Sequence, residues 1–233
     1  MREILVISPT YNEVDNIQSF INSVFSINNL SLLVIDDNSP DGTAEIVKSN
    51  MIKNKKLHLI SRKQKLGLGT AYLEGFKWFS NSNYDFCVQM DSDFSHSFED
   101  LLKIIKFRDN ADLIIGSRYI NGGSTAGWSI YRKLLSKYAN LLSKTILNSN
   151  INDLTGGFKL LNQKVVKEII KSQPSSNGYT FQIEVNNLIE KKDFNILEVP
   201  ITFTDREFGK SKMNNQIIIE AIKYLIKNLI RKA

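Results

Sequence analysis

"YDFCVQMDSD", residues 84–93, joins a short apolar run to a pair of carboxylates. The apolar part predicts a buried strand, and Asp91 and Asp93 follow it directly. Carboxylates are costly to hold at the margin of a core unless a cation or a hydrogen-bond donor lies beside them. The stretch therefore predicts a strand that ends at a binding site.

The residues around this stretch alternate between strand-like and helix-like segments. The apolar runs "EILVIS", "LLVID" and "LHLIS" precede it, and "ADLIIGS" follows it. Segments with helical spacing separate these runs: residues 12–25, a segment from about Thr43, "AYLEGFKWF" and "SFEDLLKIIKF". Apolar strands placed between helices predict an α/β fold with a mostly parallel central sheet flanked by helices.

Acidic residues stand at the ends of several predicted strands. Glu13 follows the first strand, Asp36 and Asp37 follow the second, and Asp91 and Asp93 follow the fourth. Ligands of open α/β sheets bind outside the carboxyl ends of the strands, so these acids predict a site at that edge. A D-x-D pair there suits Mg²⁺ or Mn²⁺, which accept oxygen ligands and leave positions for substrate phosphates.

The second half of the chain is less regular. "YRKLLSKYANLLSKTIL" and "TFQIEVNNLIEKK" predict helices, and "ILEVPITFT" predicts a strand in which Pro200 suits an edge or a bulge. A last helix is expected over roughly residues 214–231. Its apolar positions share one face beside a basic one: Ile218, Ile222, Leu225, Ile226 and Leu229, with Lys223, Lys227 and Arg231. Such a helix either packs on the core or lies on an anionic bilayer, and the spacing alone fits both.

Composition narrows the classes of partner. The 233 residues carry a net charge of +6, and the one cysteine, Cys87, excludes an intramolecular disulfide and a cysteine-based zinc site. The lysine clusters lack interleaved aromatic residues, which favours nucleotides and lipid phosphates over nucleic acid. The first residues do not resemble a signal peptide and no apolar run is long enough to cross a bilayer, so a cytoplasmic protein is expected.

Eight short motifs occur in a fixed order: "SPTYNEVDNI", "VIDDNSPDGTAEIV", "GLGTAYLEGF", "MDSDFSH", "GSRYINGG", "DLTGGFKLL", "GYTFQIEV" and "REFGKSKM". With them the chain resembles the family 2 glycosyltransferases and, within that family, the polyprenol-phosphate (dolichol-phosphate) mannose synthases. The resemblance covers Ile4 to about Met213. It implies a GT-A type nucleotide-diphospho-sugar transferase fold over one domain, residues 1–233. Residues 1–122 would bind the nucleotide sugar, and residues 123–233 would form the acceptor half with the C-terminal amphipathic helix.

The same resemblance implies the reaction and its partners. Mannose would pass with inversion from GDP-mannose to a polyprenyl (dolichyl) phosphate, with Mg²⁺ or Mn²⁺ as the cofactor. Because the acceptor is a lipid, we expect the protein to lie peripherally at a membrane face. A small membrane-spanning partner subunit is a further candidate partner, and no nucleic acid is expected.

The motifs also imply the site residues. The metal would be held by Asp91, Asp93 and Ser95, although a neutral hydroxyl is a weaker ligand than a carboxylate. The catalytic residues would be Asp91, Asp93 and Arg118, and Arg206 and Lys212 would close over the diphosphate as a mobile basic loop. The nucleotide sugar would be bound by Pro9, Tyr11, Glu13, Ile35, Asp37, Asp91, Ser92, Asp93, Arg118, Arg206 and Lys212.

Two alternatives stay open on the sequence. A related transferase could use a UDP-sugar or a sugar acceptor, and a non-catalytic protein could bind nucleotide sugars or membranes. An ionised phosphate acceptor needs no strong general base, whereas a sugar hydroxyl needs a carboxylate such as Asp153 or Glu99. Asp153, with Lys159, is expected either to shape the acceptor side or, alternatively, to cap a helix. Gly67 and Gly69 predict backbone geometry near the nucleotide, because a lone G-x-G is a weak dinucleotide signal.

Overall fold

A computed structural model of the protein describes residues 3–206 and 215–230. The strands are β1 (Ile4–Thr10), β2 (Leu30–Asp36), β3 (Leu57–Ser61), β4 (Phe86–Gln89), β5 (Leu113–Ser117), β6 (Ser124–Ala126), β7 (Lys159–Asn162), β8 (Ile196–Pro200) and β9 (Thr202–Thr204). The helices are α1 (Val14–Phe25), α2 (Thr43–Met51), α3 (Leu68–Ser80), α4 (Phe98–Lys106), α5 (Ile130–Leu147), α6 (Gln163–Ser172), α7 (Gly178–Glu190) and α8 (Asn215–Ile230).

The main sheet has the strand order β3-β2-β1-β4-β7-β5-β8, and β6 and β9 form a small second sheet. Within the main sheet β7 runs antiparallel to both of its neighbours, and the other pairings are parallel. The predicted mostly parallel sheet flanked by helices is thereby confirmed. The chain leaves β1 towards β2 on one side and returns to β4 on the other, which places a topological switch point between β1 and β4.

Helices cover both faces of the sheet because its strands present apolar side chains to both. On one face Phe76 and Phe79 of α3 and Phe181 of α7 pack against Leu5 and Cys87. On the other face, alternate strand positions pack against the buried residues of α1 and α4. These helix residues are Ile17, Phe20, Ile21, Val24, Leu101 and Ile104. Burial on two sides makes the sheet rigid, so the loops at its carboxyl edge start from fixed positions.

The structure corrects several sequence expectations in the second half. "ILEVPITFT" is not one strand, because β8 ends at Pro200 and β9 pairs with β6. Pro200 does lie on an edge strand, as expected, since β8 closes the sheet. The sequence did not predict β7, which is short, or α6, whose buried face consists of Val165, Val166 and Ile169.

Both halves of the chain contribute to the main sheet. Strands β7 and β8 follow residue 122, yet β7 lies between β4 and β5. The sheet is therefore not divided at residue 122. The predicted division there concerns only which half of the chain binds the nucleotide sugar and which binds the acceptor. Within the part of the chain that the structure describes, no helix is both long enough and apolar enough to cross a membrane.

A candidate active site at the carboxyl edge of the sheet

The loop after β4 brings Asp91 and Asp93 to the switch point. Asp93 is buried and accepts a hydrogen bond at Oδ1 from the Ser95 backbone N–H, at 3.1 Å. Asp91 is more exposed, and its Oδ1 accepts a hydrogen bond from the Tyr72 hydroxyl at 3.4 Å. Burial, with a further contribution from Asp91, holds the pKa of Tyr72 well above its ordinary value. The Tyr72 hydroxyl therefore remains a hydrogen-bond donor to the first acid.

Arg206 reaches this loop from the far end of the sequence. Its Nη2 lies 3.3 Å from Asp93 Oδ2. The approach is set by β9, because the Thr204 backbone N–H donates to the Ser95 carbonyl at 3.1 Å. The D-x-D loop and the start of the predicted basic loop therefore meet, and closure of that loop over a diphosphate stays a prediction. Lys212, the other basic residue of that loop, lies outside the described residues.

The loop also holds a polar atom suited to a metal. The Ser95 hydroxyl is buried and has no hydrogen-bond partner among the described residues. Two carboxylates and one buried hydroxyl form an all-oxygen set, which suits a hard divalent cation. Within residues 3–206 and 215–230 no cluster of three or more His, Cys, Asp or Glu side chains is placed to hold a metal. The residues present fit a cation that also takes oxygen ligands from substrate or water.

The acids after β2 have different environments. Asp36 accepts hydrogen bonds from the hydroxyls of Thr10, at 2.9 Å, and Ser39, at 2.6 Å, so it fixes the loops after β1 and β2. Asp37 Oδ1 lies 2.6 Å from Arg62 Nη1. Burial raises the pKa of Asp37, although the Arg62 guanidinium lowers it. Of these two acids, Asp37 is the one beside a charged partner that a ligand could share.

Sequence reasoning missed Arg62, the residue directly after β3. Its side chain is buried, and its Nη2 donates to the Thr70 hydroxyl at 2.7 Å. Gly67, with a φ of 97°, lets the chain turn so that its N–H donates to Asp37 Oδ2 at 3.3 Å. Gly69 lies tightly against the Ser176 carbonyl, so both glycines serve backbone geometry. The strand-end rule that selected the acids would have found Arg62 had it been applied to basic residues.

The remaining nucleotide-side candidates fall into two groups. The ring of Tyr11 is partly exposed and lies under Lys65, whose Nζ is 3.9 Å from the ring centroid. The Glu13 carboxylate is turned into the first turn of α1, where it accepts from the Asn16 amide at 3.0 Å. The Ile35 side chain is fully buried in the core, which leaves its backbone as the part able to meet a ligand. Pro9, the register partner of Ile35, is partly exposed, and Ser92 is buried.

Arg118 follows β5 and is held by Asp153. The guanidinium donates from Nε to Asp153 Oδ2 at 2.8 Å and from Nη2 to Oδ1 at 2.7 Å, and Nη2 also donates to the Thr155 hydroxyl at 2.7 Å. Burial alone would raise the pKa of Asp153, but the charge and hydrogen bonds of Arg118 hold it below its ordinary value. Asp153 therefore orients Arg118, and the alternative expectation that it caps a helix is wrong.

Two more ionisable groups are buried near this pair. Lys159 is fully buried, and its Nζ donates to Gln182 Oε1 at 2.6 Å. Burial lowers the pKa of Lys159 to about 7, while Asp153 acts in the opposite direction. Burial also lowers the pKa of His96 to about 4, and its ring stacks on Phe158 at 4.6 Å. His96 is thus a neutral packing residue at neutral pH, and it is not placed as a general base.

Comparison with known proteins identifies the family. Residues 5–170 match the model of glycosyl transferase family 2. The chain is 41% identical to the polyprenol monophosphomannose synthase of Mycolicibacterium smegmatis over 94% of its own length and 83% of the relative's. It is 36% identical to the undecaprenyl-phosphate mannosyltransferase of Micrococcus luteus, over 94% of its own length and 90% of the relative's.

Solved structures show the same fold at low sequence identity. The glucosyl-3-phosphoglycerate synthase of Mycobacterium tuberculosis, in complex with Mn²⁺, UDP and phosphoglyceric acid, matches with a TM-score of 0.67 and 18% identity. That match covers 99% of this chain and 78% of the other. A mannosyltransferase of Pyrobaculum calidifontis, in complex with GDP-mannose and Mn²⁺, matches with a TM-score of 0.61 and 13% identity, over 97% of this chain and 64% of the other. The expected GT-A type fold is confirmed, and the chain belongs to glycosyl transferase family 2.

Proposed function

We propose that the chain transfers mannose, with inversion, from GDP-mannose to a polyprenyl (dolichyl) phosphate. The relatives that share 41% and 36% of its residues are a polyprenol monophosphomannose synthase and an undecaprenyl-phosphate mannosyltransferase. Their match extends over nearly the whole chain, which makes mannose as the sugar and a polyprenyl phosphate as the acceptor the best-supported pair.

The observation that carries the proposal is the approach of Arg206 to Asp93, at 3.3 Å. A diphosphate leaving group needs positive charge on the side away from the acids that bind its metal. Arg206 lies at the start of the basic segment "REFGKSK", and Asp93 belongs to the D-x-D pair. Their convergence supports a clamp in which acids and basic residues act on the same diphosphate.

The metal would be held by Asp91, Asp93 and Ser95. When bound, Mg²⁺ or Mn²⁺ neutralises charge on the diphosphate and so stabilises it as a leaving group. The protein's own groups prepare this position, because Tyr72 orients Asp91 and the Ser95 N–H orients Asp93. Arg206 pairs with Asp93 and would exchange that contact for the diphosphate.

The nucleoside would lie over the ends of β1 and β2. Tyr11 offers a ring for packing, and Asp37 offers a carboxylate for a base or ribose hydroxyl. Arg62, paired with Asp37, would meet a phosphate or support that carboxylate. Pro9, Glu13, Ile35 and Ser92 would shape the pocket through packing and backbone groups.

The acceptor side supports a phosphate rather than a sugar hydroxyl. The buried carboxylate of Asp153 is committed to Arg118, and its lowered pKa makes it a poor general base. Glu99 is exposed in the first turn of α4. An ionised phosphate needs no base, and Arg118 supplies a planar guanidinium at the edge of the site. Catalysis would then depend on alignment and on charge stabilisation.

A UDP-sugar donor is the second candidate, because proteins of this fold have been solved with UDP as well as with GDP-mannose. In either case, residues 1–122 would bind the nucleotide sugar and residues 123–233 the acceptor. The lipid acceptor would place the protein peripherally at a membrane face. A small membrane-spanning subunit remains a candidate partner.

Parallel incubations test the assignment. The protein is mixed with a short-chain prenyl phosphate, Mg²⁺ or Mn²⁺, and labelled GDP-mannose or labelled UDP-sugars in separate reactions. We expect label in the lipid only with GDP-mannose and metal, and chelation should abolish it. Label entering the lipid only from a UDP-sugar overturns the donor, and nucleotide-sugar binding without any transfer supports a non-catalytic binder instead.

A further inference from the structure

Helix α5 turns its polar side to the protein. The buried residues on this helix include Asn140 and Ser143. The Asn140 amide donates to the Asn152 carbonyl and accepts from the Leu154 backbone N–H at 2.9 Å. Hydrogen bonds therefore fix the middle of the helix, and the buried Leu147 anchors its last turn in the core.

The outward side of α5 is apolar. At about 100° per residue, a set of large side chains forms one stripe on the side away from Asn140 and Ser143. Ile130 and Tyr131 in its first turn are 78% and 76% exposed. The stripe consists of Ile130, Tyr131, Leu134, Leu135, Tyr138, Leu141 and Leu142, all exposed. Isolated exposed apolar residues are ordinary, but a contiguous stripe of this length marks a surface that another apolar phase covers.

Helix α8 extends this surface. It lies beside α5, and Leu225 faces inward while a second apolar stripe faces outward. That stripe consists of Ile219, Ile222, Ile226, Leu229 and Ile230, each about half exposed or more. The expectation that this helix packs its apolar face on the core is therefore wrong for Ile222, Ile226 and Leu229. We call the two stripes together the α5–α8 face.

The charges around the α5–α8 face are basic. Helix α5 contains no acidic residue, and Lys133, Lys137 and Lys144 follow one flank of its apolar stripe. On α8, Lys223 and Lys227 are exposed beside the stripe. The acid of α8, Glu220, is turned inward and accepts from the Asn177 backbone N–H. A second copy would bring these like charges together, whereas an anionic surface would complement them.

We infer that the α5–α8 face docks the protein on an anionic lipid bilayer, with the apolar stripes in the interface and the lysines at the headgroups. This inference rests on the proposed function for the reason to approach a membrane, since the acceptor is a lipid. Contacts at the start of α5 connect this face to Arg118 of the candidate site, where the lipid phosphate would be bound. Arg132, in the first turn of α5, pairs with Asp205 at 2.9 Å and lies over the Trp128 ring, 4.1 Å from its centroid. Arg118 lies on the same ring at 5.8 Å.

Sedimentation with vesicles of phosphatidylcholine, with and without phosphatidylglycerol, tests the apolar part. The variant Leu134→Gln/Leu142→Gln should bind anionic vesicles about tenfold more weakly or worse than the full-length protein. The matched control, Ile52→Gln/Leu102→Gln, changes two exposed apolar residues on other helices or their ends and should bind normally. Equal binding by the two variants overturns the inference.

The basic part has its own matched pair. Replacing Lys133, Lys137 and Lys144 with Gln should weaken binding to anionic vesicles on the order of a hundredfold, and high salt should have the same effect. The control replaces Lys53, Lys55 and Lys106, which are exposed elsewhere, and should bind like the unchanged protein. A loss that is equal in both triple variants reflects net charge alone and contradicts docking through this face.

Other occupants give distinct results. A dimer that dissociates in Leu134→Gln/Leu142→Gln, together with no vesicle binding, assigns the face to a second copy and overturns the inference. Absence of vesicle binding by a monomer also overturns it. Transfer of mannose to a water-soluble prenyl phosphate is measured in parallel without vesicles. Transfer without vesicle binding contradicts only the docking surface. Vesicle binding without transfer from any donor contradicts the proposed function and still supports the docking surface.

Discussion

Helices α1 and α5 are both amphipathic, but they bury opposite sides. Helix α1 buries Ile17, Phe20, Ile21 and Val24 against the sheet. Helix α5 buries Asn140, Ser143 and, at its end, Leu147, whereas it exposes Leu134, Leu135, Leu141 and Leu142. The interior near α5 also contains Arg118, Asp153 and Lys159. A helical period therefore identifies an apolar stripe, but it does not determine whether the core or another phase covers that stripe.

Truncating one large apolar side chain on each helix should give the largest difference in the free energy of unfolding between α1 and α5. Phe20→Ala removes a fully buried ring on α1 and should lower the free energy of unfolding by about 3–5 kcal/mol. Leu134→Ala removes an exposed side chain on α5 and should change it by about 0.5 kcal/mol or less. Urea unfolding in the absence of lipid measures both. Similar losses would mean that Leu134 and the outward side of α5 are buried in solution.

The buried ion pair near α5 should be costly to break. Asp153→Ala leaves the Arg118 guanidinium enclosed without its carboxylate, so the free energy of unfolding should fall by about 3–5 kcal/mol. The more exposed pair of Arg132 and Asp205 is the control, and Arg132→Ala should cost about 0–1 kcal/mol. Comparable costs for the two substitutions would argue that water reaches Arg118 freely.

Lys159 should make stability depend on pH. Its native pKa of about 7 lies below the ordinary 10.5, so above pH 7 the unfolded chain binds more protons than the native protein. The contribution of Lys159 to the free energy of unfolding therefore rises with pH, by up to about 1.4 kcal/mol per unit. Lys159→Met has no amine to titrate. In urea unfolding, the free energy of unfolding of the wild type should therefore rise relative to that of the variant between neutral pH and about pH 9. Parallel pH profiles would contradict a buried amine.

A substitution on the polar inner side of α5 should lower the free energy of unfolding by less than Phe20→Ala or Asp153→Ala. Asn140→Ala removes the partners of the Asn152 carbonyl and the Leu154 N–H and should cost about 1–2 kcal/mol. Thr145→Ala, on the outer part of the same helix, is the control and should cost less than about 0.5 kcal/mol. If Asn140→Leu stabilises the protein instead, the inner side of α5 tolerates apolar packing and the contrast with α1 weakens.

The sequence predicted the first half of the fold well because the periods there are long and the strands are apolar on both faces. It also predicted the strand-end acids, since position at a strand end requires only chain order. It missed β7, because a four-residue strand inserted between β4 and β5 depends on distant partners. The outward side of α5 depends on what the helix packs against, which no local pattern contains.

In the candidate site, too, some residues were predicted from the sequence and others were found only from their contacts in the fold. Asp91, Asp93 and Arg118 follow β4 and β5 at the carboxyl edge of the sheet, and the roles that their motifs imply stay predictions. The strand-end prediction covered acids only and so did not include Arg62, which pairs with Asp37. The hydrogen bonds of Asp153 to Arg118 depend on the fold and give Asp153 its orienting role. These pairings connect distant parts of the chain, so they are consequences of topology rather than of spacing.

Two acids at opposite ends of the strands test the metal site most sharply. Asp93 follows β4 at the candidate site, whereas Asp112 precedes β5 at the other edge and accepts from the Asn162 amide at 2.7 Å. The measurement is metal-dependent transfer of labelled mannose from GDP-mannose to a prenyl phosphate by Asp93→Asn and by Asp112→Asn. If Asp93 binds the metal, Asp93→Asn should lose about a hundredfold or more of the rate, while Asp112→Asn should stay within about twofold of the wild type. Equal rates for the two variants would contradict metal binding by Asp93.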